Sequence, residues 1–135
     1  MAGLKTLTQA IFDRLRANWT TTDIVYPNTD FKPTTGQPFI GVQIDTLVSG
    51  QISIASPSID RISGVLSIEV LTPINEGVGL ALEYAEILAA IFRKVRFNGV
   101  LMFSPNIASG QQIKYSNSKW WNTPLACPFQ YDAVL

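Results

Sequence analysis

Apolar residues recur at spacings of three and four near the start of the sequence, at Leu4, Leu7, Ile11 and Leu15. The positions between them are mostly polar, so a helix over this stretch has one apolar face and one polar face. The spacing therefore predicts an amphipathic α-helix that ends near Asn18.

Residues 19–38 follow neither the helical period nor the strand period, because prolines, a glycine and a run of threonines interrupt them. Each proline fixes its own φ and pushes the residue before it toward an extended conformation. Trp19, Tyr26 and Phe31 can anchor the segment, so we expect an ordered loop. This loop is either a packed connection or an arm that reaches another subunit, and the sequence leaves both interpretations open.

Alternation of apolar and polar positions predicts strands in the middle of the chain, at residues 39–45, 51–55 and 62–71. The connections between these strands are short, which favours antiparallel neighbours. We therefore expect a meander of three strands that Pro73 closes.

A second helical period follows, in which apolar residues recur every three or four positions from Val78 to Val95. Asn75 is a candidate N-cap, and Asn98-Gly99 suits the end of the helix as a cap or a turn. The apolar stripe is wide, which predicts a helix that is covered on more than one side. Three cations that complement the helix dipole are expected in the last turn: Arg93, Lys94 and Arg96.

Residues 120–131 alternate again, with the apolar side chains on the odd-numbered side. Pro124 and Pro128 lie on the other side and lack the N–H group of a strand ladder, so we expect a sheet edge or bulges there. Shorter strands are expected at 100–103 and 113–115. The order of elements predicts an α+β fold in one domain over residues 1–135, with a single antiparallel or mixed β-sheet and two main helices on one face.

The composition indicates that the surface has few charged residues. Of 135 residues, 47% are hydrophobic and 15% are charged, and ten basic residues balance ten acidic ones. A soluble domain usually has about a quarter of its residues charged. A surface so poor in charge suits contact with other subunits, and zero net charge disfavours strong binding to DNA on its own.

The sequence offers little for catalysis. It has no histidine, which removes Ser-His pairs, Cys-His pairs and imidazole metal ligands. Cys127 lies alone in a strand pattern, which favours a buried thiol, and Glu83 and Glu86 are interpreted as a solvated helix face. Gly77-Val78-Gly79 lacks the lysine of a phosphate-binding loop. We therefore predict no catalytic, cofactor or metal site, and a small hydrolase is only a remote alternative.

The sequence also predicts an intracellular, soluble protein without membrane contact. Charges at Lys5, Asp13, Arg14 and Arg16 interrupt the region where a signal peptide would have its apolar core. No apolar run approaches the length of a membrane span. A single cysteine fits a reducing compartment.

Three features are candidate contacts with a partner. The basic run Arg93, Lys94 and Arg96 either complements the helix dipole or contacts phosphates or an acidic surface. The pair Trp120-Trp121 is either core packing with one partly exposed indole or an anchor for a partner. The loop supplies four further candidates for assembly contacts: Trp19, Tyr26, Pro27 and Phe31.

The order of these pieces resembles the small tail terminator proteins of long-tailed, siphovirus-type bacteriophages. The likeness begins with the N-terminal helix, Trp19 and the Val-Tyr-Pro-Asn run at 25–28. It continues through the arginine, glycine and strand of Arg61–Val70 to Gly77, and it closes with Pro-Phe-Gln-Tyr at 128–131. The likeness covers nearly the whole chain, and its motifs are structural rather than catalytic.

The resemblance implies a virion protein that forms a ring, usually of six subunits, on the last ring of the tail tube protein at the head-proximal end. It implies that the ring ends tube polymerisation, presents a surface to head-completion or connector proteins, and does no covalent chemistry. DNA would pass through the lumen, where Arg93, Lys94 and Arg96 either line the wall or face an acidic neighbour. A neck or head-tail connector subunit is the alternative. Either protein would be made in the host cytoplasm and would need no cofactor.

Overall fold

The chain folds into two helices and eight strands in the computed structural model, which describes residues 3–34, 36–51, 59–115 and 118–134. The helices are α1 (Leu4–Asn18) and α2 (Gly79–Phe92). The strands are β1 (Asp23–Val25), β2 (Phe39–Gln51), β3 (Ile59–Pro73), β4 (Arg96–Phe97), β5 (Val100–Met102), β6 (Asn106–Ile107), β7 (Gln111–Tyr115) and β8 (Ser118–Val134). The strand expected at 51–55 lies, apart from Gln51, outside the described residues.

One mixed sheet contains all eight of these strands. Its order is β1-β2-β3-β8-β5-β4, and β6 and β7 also pair with β8. β1 is parallel to β2, and the other pairs are antiparallel. The expected combination of one sheet with two helices is confirmed, although the sheet has eight strands in the described part of the chain where the sequence predicts five or six.

Alternation along the long strands sends every second side chain toward the helices. In β3, Ile62, Leu66, Ile68 and Val70 are fully buried on this side. The register places them opposite odd-numbered residues of β8, the side that the sequence predicts to be apolar. Residues of both helices complete the main core: Leu7, Ile11, Leu15, Ala85, Leu88 and Phe92.

Pro124 and Pro128 lie in β8, an interior strand, so the expectation of a sheet edge there is wrong. The facing chain has one extra residue opposite each proline, between Met102 and Asn106 and between Ile107 and Gln111, which agrees with the alternative of bulges. Their missing N–H groups are accommodated because the strands facing β8 stop opposite them. Phe103 donates its backbone N–H to the carbonyl of Pro128 at 2.9 Å, in the gap between β5 and β6. Ala108 donates its backbone N–H to the carbonyl of Pro124 at 2.9 Å, in the gap between β6 and β7. The hydrogen-bond ladder between β8 and these facing strands is therefore interrupted at both prolines.

α2 is shorter than the hydrophobic period predicts. Asn75 lies in a turn with φ 66° and does not cap the helix, which begins four residues later. At the other end the chain leaves the helix at Arg93, and Lys94 adopts a φ of 51°. Val95 then accepts a hydrogen bond from the backbone N–H of Met102 at 2.8 Å, so this stretch runs beside β5. The prediction that the basic run lies in the last turn of the helix is therefore wrong.

A tight hairpin joins β4 to β5. Asn98 and Gly99 form its turn, with φ values of 46° and 84°. Positive φ at both central residues suits a two-residue hairpin, and the Asn-Gly pair tolerates it best. The turn interpretation of Asn98-Gly99 is therefore confirmed, whereas neither residue caps α2.

The first part of the loop is a packed connection. Trp19 is buried, its Nε1 donates to Thr22 Oγ1 at 2.9 Å, and its ring meets that of Tyr84 edge-on at 5.3 Å between centres. The ring of Tyr26 packs on Phe12, with the centres 5.1 Å apart. β1 lies between these two anchors and adds a parallel strand to the sheet that the sequence does not predict.

Arg14 ties α1 to the end of α2. Its Nε donates to the carbonyl of Ile91 at 2.9 Å, and its guanidinium lies 5.0 Å from the centre of the Phe97 ring. We expect Arg14→Met to keep the aliphatic stem, lose both contacts, and lower the free energy of unfolding by about 1–2 kcal/mol. The matched variant Arg16→Met removes an exposed ion pair with Asp13 and should cost less than about 1 kcal/mol. Urea denaturation measures both, and equal losses would contradict the role of Arg14.

Candidate assembly surfaces

The sheet has a second face, which points away from α1 and α2 and which we call the open sheet face. Val65 lies opposite Pro128 there, and Ser67 lies opposite Ala126. Most side chains in its centre are uncharged and half-buried: Ser63, Val65, Ser67, Pro124, Ala126, Pro128 and Gln130. Two exposed carboxylates lie among them, Glu69 opposite Pro124 and Asp45 opposite Val65. A stretch of sheet whose side chains are mostly uncharged is typical of a surface that meets another protein.

An aromatic cluster closes one end of the open sheet face. Phe39, Leu71 and Trp120 are buried there. The ring of Phe39 lies edge-on to Trp120 at 5.0 Å and tilted against Phe31 at 5.1 Å. Beside the cluster is a groove of about 230 Å³, lined in part by Gly41, where an added Cβ would meet no atom within 4 Å. The groove therefore has room for a side chain of a partner.

Charged residues mark the other end of the open sheet face. Arg61 donates from Nε to Asp132 Oδ1 at 2.9 Å and from its terminal nitrogen to Oδ2 at 3.2 Å, which lowers the pKa of the Asp132 carboxyl. Both side chains are exposed, so the pair contributes little to stability. Arg96 lies on the same face, because the register aligns it with Leu101 and then Gln130.

The three cations of the basic run lie close to one another along the chain, although not in a helix. Arg93 is the C-cap of α2, Lys94 is in the turn that follows, and Arg96 is in β4, all three exposed. Phe103 lies beside them, because the backbone N–H of Lys94 donates to its carbonyl at 3.4 Å. Its side chain is 43% exposed. We call these four residues the basic patch. The exposure of Phe103 could not be predicted from the sequence, because its apolar neighbours indicate an ordinary strand.

α2 exposes part of its apolar stripe in the single chain. Leu82 and Ile87 are 41% and 44% exposed, and Glu83 and Glu86 lie exposed between them. We call these four residues the acidic helix face. The wide stripe in the sequence is the signal for this surface, because it is broader than one sheet can cover.

Two of the predicted assembly residues are used inside the chain's own core. Trp19 and Trp120 are 2% and 3% exposed, so neither indole offers a surface to a partner. The remaining candidates keep accessible surface, and their role in assembly stays a prediction: Tyr26, Pro27, Phe31 and Trp121.

The structure places Cys127 among the buried residues on the helix side of β8. Burial raises the pKa of its thiol to about 12, and the charge of Arg93 opposes this only in part. A thiol that keeps its proton at neutral pH is a poor nucleophile. In the described ranges, no group of three His, Cys, Asp or Glu residues could hold a metal ion.

Cys127 should make the protein lose stability at high pH. Its thiol keeps its proton up to about pH 12 in the folded state, but the unfolded chain releases it from about pH 9. The unfolded state then binds fewer protons, so the free energy of unfolding falls with pH by up to about 1.4 kcal/mol per pH unit. Urea denaturation between pH 9 and 11 should show a shallower fall for Cys127→Ala. Parallel curves for the two proteins would contradict this account.

A comparison with known families decides the identity of this fold. The family described as "Phage tail terminator protein" matches residues 6–129, which include most of α1, all of α2 and most of β8. The chain belongs to the phage tail terminator family. The resemblance found in the sequence is therefore confirmed, and the family is one of virion structural proteins. No curated protein matches the chain.

Two solved structures share the fold over the whole chain. One, whose name states no function, has a TM-score of 0.67 and 17% identity, and the match covers 100% of this chain and 99% of that one. The other belongs to the "Virion of native gene transfer agent (GTA) particle", with a TM-score of 0.52, 13% identity and coverage of 98% and 100%. At these identities the likeness shows the fold alone. Neither described helix is long and apolar enough to cross a membrane.

Proposed function

We propose that the protein caps the head-proximal end of the phage tail tube as a ring of six copies, ends polymerisation of the tube, and provides the surface for head-tail joining. The observation that carries the proposal is the family match over residues 6–129. The likeness to a chain of a gene transfer agent virion, across 98% of this chain, also supports a place in a virion particle.

The surfaces of the chain suit repeated contacts between copies. The open sheet face has mostly uncharged side chains along β3 and β8, and the groove beside the aromatic cluster can take a side chain. Among the described strands, β1 covers only Phe39–Gly41 of β2, so the rest of β2 has an edge that a neighbour's strand can pair with. Contacts of this head-to-tail kind close into a ring when the rotation between copies permits.

The basic patch has two uses in such a ring. Arg93, Lys94 and Arg96 contact either the DNA that passes through the lumen or an acidic surface of a neighbouring copy. Both uses need charge and position alone, and neither involves making or breaking a covalent bond. The partners are the tail tube protein on one side of the ring and a head-completion or connector protein on the other.

Growth of tail tubes tests the proposed function. Purified tail tube protein is polymerised from short seeds, and the present protein is added at about one ring per tube. We expect elongation to stop at one end, which electron microscopy of tube lengths measures, whereas the same protein unfolded by heat should have no effect. Tubes that keep growing at both ends would contradict the proposal. Binding to a purified neck complex without an effect on tubes would instead indicate a connector subunit.

A further inference from the structure

Two exposed patches of opposite charge point to a specific contact between copies. The acidic helix face comprises Leu82, Glu83, Glu86 and Ile87, and the basic patch comprises Arg93, Lys94, Arg96 and Phe103. We propose that the acidic helix face of one copy binds the basic patch of the next copy, head to tail. The inference rests on the proposed function and names the surfaces that join the ring.

The acidic helix face has charges without partners. Leu82 lies one turn from Glu86, and Glu83 lies one turn from Ile87, so the four side chains form a compact square on the helix surface. α2 contains no lysine or arginine, and the two carboxylates, three residues apart, repel each other. Within the described residues neither carboxylate forms a salt bridge. A cationic surface placed here would relieve this repulsion and bury both aliphatic side chains.

The basic patch is the complementary surface. Its three cations form no salt bridge with a carboxylate in the part of the chain that the structure describes. Asp132 is near Arg96, but its carboxyl oxygens both accept from Arg61. Phe103 adds an exposed aromatic ring to the cations. An acidic surface with aliphatic side chains matches both the charge and the apolar area of this patch.

Exposed apolar side chains concentrate at these two patches. The large apolar residues that stay exposed in the described ranges are Leu4, Val78, Leu82, Ile87 and Phe103. Leu82 and Ile87 belong to the acidic helix face, Phe103 belongs to the basic patch, and Val78 directly precedes α2. A core of apolar side chains with charges around it is the usual anatomy of a protein interface. The two patches therefore have the composition of two halves of one interface.

The directions of the patches favour a head-to-tail contact over a closed pair. The acidic helix face lies on the outer side of α2, opposite the residues that pack on the sheet. Arg96 and Phe103 lie on the open sheet face, because Phe97 and Met102 point into the core between sheet and helices. Two copies that join through one patch each keep the other patch free, so further copies add until a ring closes.

Charge reversal on each side tests the contact. Glu83→Lys/Glu86→Lys reverses the acidic helix face, and Arg93→Glu/Lys94→Glu/Arg96→Glu reverses the basic patch. Either variant alone should associate at least about a hundredfold more weakly than the wild type, because like charges then meet at every junction. An equimolar mixture should restore the ring. In the mixture, the two variants alternate around the ring. At one junction the reversed acidic helix face of one variant meets the reversed basic patch of the other, and at the next junction the two native surfaces meet.

A matched control separates this contact from general attraction. Lys5→Glu/Lys114→Glu/Lys119→Glu reverses three other exposed lysines and changes the net charge by the same amount as reversal of the basic patch. On its own it should form the ring as the wild type does, because both of its contact surfaces are native. Mixed with the variant that carries the reversed acidic helix face, it should form rings that contain only copies of the control, because the reversed face would still meet a native basic patch. Native mass spectrometry and electron microscopy, in solution and on tail tubes, count the copies in each case. Circular dichroism checks folding, and the corresponding glutamine variants, expected to weaken association about tenfold, replace any variant that fails to fold.

Several results would overturn the inference while the proposed function stands. These are rings formed by either reversed variant alone, a mixture of the two folded reversed variants that does not restore the ring, entry of the reversed acidic variant into rings with the lysine control, or assembly of the wild type that stops at two copies, each observed while the wild type still caps tubes. A wild type that forms no ring, in solution or on tubes, would contradict the proposed function together with this inference.

Discussion

Trp120→Ala is expected to lower the free energy of unfolding by about 3–5 kcal/mol, measured by urea denaturation at neutral pH. Trp120 is 3% exposed and packs edge-on against Phe39 at 5.0 Å, with Leu71 beside it. This cluster lies on the open sheet face, away from the helices that could move inward to fill a cavity. Removal of the indole therefore leaves both the lost apolar burial and a void uncompensated.

Two control variants make the Trp120 prediction specific. Trp121→Ala, at the next position, removes a half-buried indole and should cost about 1–2 kcal/mol. Trp120→Phe keeps an aromatic ring in the cluster and removes an Nε1 that no described residue accepts from, so it should cost less than the alanine variant. Equal losses for the two alanine variants would mean that Trp120 is not the anchor of this cluster.

Gly64→Val is expected to destabilise the protein by about 3 kcal/mol or more, or to prevent folding. A Cβ at this position would collide with the backbone carbonyl oxygen of Asp45 and would come within 2.9 Å of the ring of Phe129. Backbone atoms of β2 cannot move aside without breaking the ladder with β3. Gly64 therefore lies where two strands and an aromatic ring leave no space for a side chain.

The matched control for Gly64 is a second glycine of the same sheet. An added Cβ at Gly41, in β2, would meet no atom within 4 Å. Gly41→Val should therefore leave stability within about 1 kcal/mol of the wild type, since valine suits a strand better than glycine does. Thermal unfolding measures the stability of both variants. If the Gly64 variant were as stable as the Gly41 variant, the close approach of Asp45 and Phe129 to Gly64 would be refuted. Because Gly41 lines the groove, its valine variant also shows whether the groove takes part in assembly.

The spacing of apolar residues along the sequence predicts much of the fold. The three- and four-residue spacing from Leu4 to Leu15 predicts α1, which the structure ends at Asn18 as expected. The alternation of residues 120–131 predicts which side of β8 is buried. These patterns are reliable because a helix or a strand with one buried face fixes the spacing of its apolar residues.

The parts that depend on distant neighbours could not be predicted. The prolines of β8 looked like markers of a sheet edge, because nothing in their own segment shows that the facing strands break opposite them. The basic run looked like the end of a helix, since only its pairing beside β5 pulls the chain out of the helical path. β1 has three residues, too few for a period to be seen.

Some features of the candidate surfaces could be predicted from the sequence, and others could not. The cations of the basic patch and the wide stripe of α2 were visible in the sequence, because charge runs and stripe width are local properties. The exposure of Phe103 was not visible in the sequence, because it depends on where β5 ends opposite Pro128. Trp19 and Trp120 looked like contacts for a partner, yet a large aromatic residue in a sequence does not reveal whether its own chain covers it.

We propose that this chain acts by shape, as a closed ring of its own copies on the end of a tail tube. Electron cryomicroscopy of the ends of tubes grown with the protein measures this most directly. We expect one additional ring of six copies at a single end of each tube, with the fold described above fitting each copy. Protein spread along the tube wall, or tube ends that carry no added density while growth has stopped, would contradict it.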